Sequence, residues 1–130
     1  MTVFQMKKNK SKKILVIDDE PSMHEVILKQ LKNENFEITT SCDHKEALKL
    51  INMKDFDVVL CDIFMNNLSG IEVLKKVKFN RPDVKIILMT GYYDTDLEVE
   101  AKKYGSTDFL TKPIKKTDLI NALNTQKHIF

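Results

Sequence analysis

The sequence predicts an α/β fold of five βα units, which form a doubly wound, parallel, five-stranded sheet. Four runs of β-branched and aliphatic residues are long enough for strands that are covered on both faces. A fifth run alternates apolar and polar residues, which is typical of a half-exposed edge strand. The predicted strands are, in chain order, Lys13–Asp18, Phe36–Thr40 at the edge, Asp57–Cys61, Val84–Met89 and Thr107–Thr111.

Five predicted helices follow the strands, each marked by an apolar stripe at helical spacing. Pro21 fits the first turn of the first helix, where an amide hydrogen is not needed. Ser69 followed by Glu72 forms a capping-box pattern before the third helix, and Gly105 is a typical stop for the fourth. Because right-handed crossovers join parallel strands, this alternation places helices on both faces of the sheet. The stripes are Met23/Val26/Ile27/Leu31, Ala47/Leu48/Ile51, Ile71/Leu74/Val77, Leu97/Ala101/Tyr104 and Leu119/Ile120/Leu123.

Length and composition fit one globular domain with a basic extension. The chain has 130 residues, of which 42% are hydrophobic and 31% charged, and its net charge is +2. Residues 1–13 contain five lysines and no acid, so the remainder is mildly acidic. We expect a disordered basic arm at residues 1–12 and one domain at residues 13–127. A nucleic-acid contact by the arm is the alternative, and the domain alone is not expected to bind nucleic acid.

The cysteines and histidines give no pattern of a disulfide or zinc protein. Cys42 and Cys61 are isolated in the sequence, so they form neither a disulfide framework nor a zinc motif. His24, His44 and His128 lack metal-ligand spacing, and we expect them at the surface. No apolar run is typical of a signal peptide or a membrane helix. The sequence therefore predicts a cytoplasmic protein that does not enter a membrane.

Polar side chains stand where the predicted strands end, and ligands of doubly wound sheets bind beyond those ends. Asp18 and Asp19 end the first strand, while Asp62, Thr90 and Lys112 follow the third, fourth and fifth. Carboxylates about 4 Å apart repel by on the order of 4 kcal/mol per pair at an effective dielectric of 20, so the cluster favours a cation. Hard oxygen ligands without His or Cys indicate Mg²⁺. Asp62 is then the best candidate for a nucleophile, with Thr90 and Lys112 positioned to contact phosphate oxygens.

Four segments, taken in order, resemble the receiver domain of two-component response regulators. They are Ile14–Pro21, Val58–Met65, Met89–Gly91 and Asp108–Pro113. Each segment is a weak signal alone, but together they are specific and the resemblance extends over residues 13–127. It implies a flavodoxin-like fold with strand order 2-1-3-4-5.

The resemblance also implies which residues take part in phosphorylation. Asp62 corresponds to the phospho-acceptor. Asp18 and Asp19 correspond to the acidic pair at the Mg²⁺ site, with Asp19 the more direct ligand. Asp62 itself and the backbone carbonyl of Phe64 complete the metal ligands that the family would have here.

Further positions correspond to the part of a receiver that responds to phosphorylation. Thr90 corresponds to the switch hydroxyl, Phe109 to the switch aromatic and Lys112 to the phosphate-pairing lysine. Pro113 would follow a cis peptide bond, which only X-Pro bonds adopt at low cost. In family terms, phosphorylation draws Thr90 toward the phosphate, Phe109 turns inward, and the face formed by helix 4, strand 5 and helix 5 changes shape.

The implied function is a signalling switch, not a metabolic enzyme. Such a domain takes its phosphoryl group from a sensor histidine kinase or a phosphotransfer protein, and catalyses its own phosphorylation and slow dephosphorylation. Its switched face would pair two copies or bind a downstream protein. The sequence names neither the kinase nor the target. Only Gln126–Phe130 follow the last predicted helix, so a stand-alone receiver and a fragment of a longer regulator both remain open.

Each candidate residue also has a structural interpretation. Asp19 suits a helix N-cap ahead of Pro21, Asp62 a loop-capping acid, Thr90 a strand-end hydroxyl, Lys112 a solvated side chain and Phe109 a core aromatic. Three other classes of protein use similar residues or the same fold. They are a haloacid-dehalogenase-type phosphatase, whose nucleophile would follow the first strand, a flavin-binding flavodoxin-like protein, and a receiver-shaped interaction module that is not phosphorylated.

Two departures from the family pattern concern the rim of the predicted site. Asn66 stands where the family usually has proline, which predicts a less rigid loop. Phe64 and Tyr92 are bulky residues at two variable positions that flank the phosphate. We hypothesise that they hinder the attacking water and lengthen the lifetime of the phosphorylated form.

Overall fold

The computed structural model describes residues 11–65 and 68–125. Its main sheet contains five parallel strands in the spatial order β2-β1-β3-β4-β5. The predicted fold class and strand order are therefore confirmed, and every predicted strand end lies within one residue of the observed one. The strands are β1 (Lys12–Ile17), β2 (Phe36–Ser41), β3 (Val58–Asp62), β4 (Lys85–Thr90) and β5 (Asp108–Thr111).

Five helices connect and follow these strands, and their ends use the signals that the sequence carries. Pro21 occupies the first turn of the first helix. The side chains of Asp43, Ser69 and Asp94 accept hydrogen bonds from backbone amides at the starts of the next three. Gly105 follows the fourth helix with a φ of 103°, a conformation that glycine adopts without steric cost. The helices are α1 (Pro21–Gln30), α2 (His44–Met53), α3 (Gly70–Asn80), α4 (Thr95–Lys103) and α5 (Lys116–Asn124).

The two faces of the sheet form two separate hydrophobic cores. Successive side chains of a strand point to opposite faces, so Leu15 and Ile17 of β1 pack beneath α2, α3 and α4. Ile14 and Val16 pack on the other face against α1 and α5. The central strands are thus fully covered, and the carboxyl ends of β1, β3 and β4 lie side by side at one edge of the sheet.

The structure corrects one sequence expectation and refines another. His24 is not a surface residue, because it is buried with 8% of its surface exposed. Lys12, which the predicted arm included, lies in β1. Residues 1–10, Asn66 and His128 lie outside the described residues, so the predictions for the arm, the Asn66 loop and His128 stay predictions. In the described part of the chain, no helix combines the length and the apolar character that crossing a membrane requires.

Candidate functional site

Three aspartates form an acidic cluster at the carboxyl edge of the sheet. Asp18 and Asp19 follow β1, and Asp62 is the last residue of the adjacent strand β3. One carboxylate oxygen from each lies within 4.8 Å of the others. Asp18 and Asp62 are buried, and Asp19 is half-buried. The structure thus brings together the three carboxylates that the sequence analysis selected.

Lys112 contacts two of these carboxylates from the end of β5. Its Nζ donates hydrogen bonds to Asp18 Oδ2 at 2.9 Å and to Asp62 Oδ2 at 3.2 Å. Its backbone amide donates to the Thr90 carbonyl at 2.7 Å, which fixes the loop beside β4. The predicted cis bond between Lys112 and Pro113 is confirmed. A solvated side chain, the structural interpretation of Lys112, is therefore wrong for this structure.

Burial and charge act in opposite directions on the ionisable groups of the cluster. Burial raises the pKa of Asp62 above its ordinary value, and the charge of Asp18 adds to this effect, while Lys112 opposes it. Burial disfavours the charged form of Lys112, but its hydrogen bonds and ion pairs with Asp18 and Asp62 outweigh burial and raise its pKa. Lys112 therefore stays protonated, and it only partly offsets the negative charge around it.

The backbone around Asp18 holds its carboxylate in place. Asp18 Oδ1 accepts a hydrogen bond from the Glu20 amide at 2.9 Å. Glu20, not Asp19, is the N-cap residue of α1. Asp19 is therefore not the N-cap residue, and its carboxylate belongs to the acidic cluster.

Thr90 is fully buried at the end of β4, and its hydroxyl is engaged within its own loop. Thr90 Oγ1 accepts a hydrogen bond from the Tyr92 amide at 3.0 Å and donates to the Tyr92 carbonyl at 3.3 Å. In this state of the protein, Thr90 is therefore a structural hydroxyl at the end of a strand, as its structural interpretation expects. Phe109 is half-buried on β5 and packs edge-to-face on Tyr93, with ring centroids 6.0 Å apart. Two consecutive tyrosines therefore connect Thr90 to the candidate switch aromatic.

Two aromatic residues on the loops that follow β3 and β4, Phe64 and Tyr92, form what we call the rim of the cluster. Phe64 and Tyr92 pack edge-to-face with centroids 6.4 Å apart, and they are 56% and 78% exposed. The Phe64 amide donates to Asp62 Oδ1 at 3.2 Å. This turn ties the rim to the candidate phospho-acceptor, whereas a role of the Phe64 carbonyl as metal ligand stays a prediction.

Two residues that support the site were not selected from the sequence. A Cβ atom at Gly70 would lie 2.5 Å from the Asp62 carbonyl oxygen, so only glycine lets the start of α3 approach β3 this closely. Gly70 also donates its amide to the Ile63 carbonyl. The imidazole Nε2 of His24 lies 2.8 Å from the Asp18 carbonyl oxygen. In the sequence, a glycine after a capping serine is a weak signal of this close approach. The sequence around His24 carries no signal of its contact with the Asp18 carbonyl.

The residues of the cluster fit a hard divalent cation. They supply carboxylate oxygens alone, two of them from buried side chains, which are the ligands that Mg²⁺ and Ca²⁺ prefer. Lys112 pairs with two of the three carboxylates, and its single positive charge does not neutralise three carboxylates. A bound cation would offset the remaining negative charge.

Comparison with known families identifies the domain to which this fold belongs. The family model of the response regulator receiver domain matches residues 14–124. The chain belongs to the response regulator receiver domain family. The receiver is a signalling domain and not a metabolic enzyme, and it binds a divalent metal at its acidic pocket.

A curated relative shows how this domain occurs in longer regulators. Transcriptional regulatory protein ZraR of Klebsiella oxytoca is 38% identical over 101 residues, which are 78% of this chain and 23% of the relative. The match therefore spans about a quarter of that regulator's length.

Two solved structures resemble the receiver closely. A Burkholderia pseudomallei response regulator with a phosphorylated aspartic acid and a calcium ion is 29% identical with a TM-score of 0.82, and the alignment covers 88% of this chain and 68% of that one. The beryllofluoride-activated NtrC4 receiver domain, a dimer, is 31% identical with a TM-score of 0.80, covering 85% and 93%. The receiver of this chain is thus a phosphorylation-dependent switch.

Proposed function

We propose that this receiver accepts a phosphoryl group on Asp62 from a sensor histidine kinase or a phosphotransfer protein, with Mg²⁺ held by Asp18, Asp19, Asp62 and the Phe64 carbonyl. The observation that carries the proposal is the pairing of Lys112 with both Asp18 and Asp62 at the edge of three carboxylates. This arrangement supplies a nucleophile, a cation site and a partner for phosphate oxygens in one place.

The chemistry is a transfer between a phosphohistidine and a carboxylate. An oxygen of Asp62 forms a bond to phosphorus while the phosphorus–nitrogen bond of the donor breaks, and the departing imidazole takes up a proton. Mg²⁺ supplies neutralisation of the charge on the phosphoryl oxygens. Lys112 pairs with one of those oxygens, and burial keeps Asp62 away from competing solvent.

Thr90 and Phe109 convert the new charge into a change of surface. We expect the Thr90 hydroxyl to leave Tyr92 for the phosphoryl group, since a charged acceptor binds a hydroxyl more strongly than a backbone carbonyl does. The Tyr92–Tyr93 segment then shifts, and Phe109 loses its edge-to-face contact with Tyr93. This alters the face formed by α4, β5 and α5, on which a second copy or a downstream protein would bind. The NtrC4 dimer supports the pairing of two copies.

The domain bounds and the cellular location are also part of what we propose. We infer a receiver at residues 13–127 behind a basic arm at residues 1–12, and a cytoplasmic location. Two isolated cysteines and the kinase chemistry support that location.

Intact-mass spectrometry after incubation with acetyl phosphate and Mg²⁺ tests the proposal. We expect one added phosphoryl group on the wild type and none on Asp62→Ala. Asp57→Ala is a matched control, because Asp57 precedes the same strand at its other end and binds the Lys13 amide. Asp57→Ala should be phosphorylated as the wild type is. Phosphorylation of Asp62→Ala, or repeated hydrolysis of a generic phosphate ester, would contradict the proposal.

A further inference from the structure

We propose that His24 is a positioning residue for the acidic site, because its imidazole holds the backbone from which Asp18 and Asp19 project. The inference rests on the proposed function in one respect, the metal that these aspartates bind. It concerns a side chain that is buried on α1, outside the carboxylate cluster itself.

The hydrogen-bond partner of His24 determines how its ring is used. Nε2 lies 2.8 Å from the Asp18 carbonyl oxygen. A carbonyl only accepts hydrogen bonds, so Nε2 carries the hydrogen and donates it. The other ring nitrogen, Nδ1, lies 4.0 Å from Cys42 Sγ, where a neutral ring accepts the thiol hydrogen. The ring is therefore fixed between the end of β1 and the residue that follows β2.

Asp18 is held at four points, of which His24 is the one on a helix face. Its amide donates to the Ser41 carbonyl, its Oδ1 accepts from the Glu20 amide, and its Oδ2 accepts from Lys112. The contact with His24 fixes the carbonyl, and hence the peptide plane that joins Asp18 to Asp19. Rotation of this plane would turn both carboxylates relative to Asp62.

Removing the donor would loosen that plane. A buried carbonyl that loses its donor seeks another one, either from water or by a shift of the backbone. Groups that orient metal ligands without binding the metal commonly change metal affinity by about tenfold or more. A weaker metal site is therefore the specific consequence of a positioning role, whereas a purely structural role would change only the stability of the fold.

The test compares His24→Leu, which removes the donor, with His24→Gln, whose amide nitrogen can replace Nε2. The control is His44→Leu, because His44 starts α2 and lies 3.8 Å from Asp43, away from the acidic site. Mg²⁺ affinity is measured by titration calorimetry. Exchange of the Glu20 amide is measured by NMR without Mg²⁺ and normalised to amides of β3.

We expect His24→Leu to bind Mg²⁺ about tenfold more weakly and to exchange the Glu20 amide faster, while His24→Gln and His44→Leu resemble the wild type. Equal Mg²⁺ affinity of His24→Leu and wild type, or equal exchange at Glu20, would overturn the inference. If the wild type itself binds no Mg²⁺, the proposed metal site fails, and the Glu20 amide still decides the positioning role. If His24→Leu does not fold, His24→Asn replaces it, since its shorter side chain does not reach the carbonyl.

Discussion

A lysine lies at each of two ends of the main sheet, half-buried at the carboxyl edge and buried at the amino edge, and different groups surround the two. At the carboxyl edge, Lys112 lies between the carboxylates of Asp18 and Asp62. At the amino edge, Lys85 begins β4 and donates hydrogen bonds to the backbone carbonyls of Ala122 and Thr125 at the end of α5. One lysine therefore meets full negative charges, and the other meets neutral dipoles.

This difference appears in the ionisation of the two lysines. Asp18 and Asp62 raise the pKa of Lys112 despite its burial. Burial lowers the pKa of Lys85, and the positive charge of Lys12, which itself donates to the Leu123 carbonyl, lowers it further. The C-terminus of α5 carries partial negative charge that a lysine stabilises.

The comparison separates a structural arrangement from a functional one. At the amino edge, Lys85 joins the end of α5 to the sheet. Its partners are neutral carbonyl groups, so no further ion is needed to balance charge there. The carboxyl edge assembles more carboxylates than its lysine neutralises, which costs stability and suits a site that binds a cation and a phosphoryl group.

The largest expected effect is on phosphorylation at the carboxyl edge. Lys112→Met should slow phosphorylation by acetyl phosphate about a hundredfold, because it removes a fixed charge that stabilises the phosphoryl oxygens. The rate is measured by intact mass at a fixed Mg²⁺ concentration. Lys115→Met is the control, since Lys115 is exposed and is the N-cap residue of α5 nearby. An unchanged rate in Lys112→Met would contradict a role of Lys112 in phosphorylation at the carboxyl edge.

At the amino edge we expect the opposite pattern. Lys85→Met should lower the free energy of unfolding by about 2 kcal/mol, because the Ala122 and Thr125 carbonyls lose a charged donor. Its phosphorylation rate should equal that of the wild type. Urea unfolding and the intact-mass assay measure the two quantities. A stable Lys85→Met that is phosphorylated slowly would show that this lysine, too, serves the site.

A smaller effect concerns the cost of the acidic cluster. The pKa of Asp62 is raised from 3.8 by burial first and by Asp18 second. The folded state therefore binds this proton more tightly than the unfolded chain, so the contribution of Asp62 to stability falls as pH rises through the raised pKa. Asp62→Asn removes the charge and should gain about 1 kcal/mol at neutral pH.

The same substitution should have no effect at low pH. Well below pH 3.8 Asp62 is protonated in both the folded and the unfolded state, so the gain disappears. Urea unfolding at neutral and acidic pH measures this change. Asp57→Asn is the control, because Asp57 is exposed and gives no such gain. A gain that persists in acid would contradict the electrostatic explanation.

Local patterns in the sequence predicted most of the carboxyl edge. Strand positions follow from continuous apolar runs, and the polar residues after them meet because parallel strands end at one edge. Asp18, Asp19, Asp62 and Lys112 could therefore be selected before any coordinates were known. The receiver family added roles for Thr90 and Phe109 that spacing alone does not supply.

The supporting contacts could not be predicted in the same way, because their partners are backbone atoms. Lys85 lies in an apolar run and shows no sign of the α5 carbonyls that it contacts. His24 became buried because α1 begins at Pro21 and turns this face toward the Asp18 carbonyl. The need for glycine at position 70 is evident only from the structure, where a Cβ atom would lie 2.5 Å from the Asp62 carbonyl oxygen.

The smallest expected effect concerns the aromatic rim, which belongs to the carboxyl edge alone. Phe64 and Tyr92 contact each other on the loops that follow Asp62 and Thr90, and we expect them to restrict the water that hydrolyses the phosphorylated aspartate. Phe64→Asn and Tyr92→Glu should each speed dephosphorylation about threefold, which corresponds to roughly 0.6 kcal/mol in the barrier. Loss of the added mass over time measures the rate. Phe79→Asn is the control, because Phe79 is an exposed aromatic on α3 and not part of the rim. Unchanged rates in both rim variants would mean that water reaches the carboxyl edge independently of these two rings.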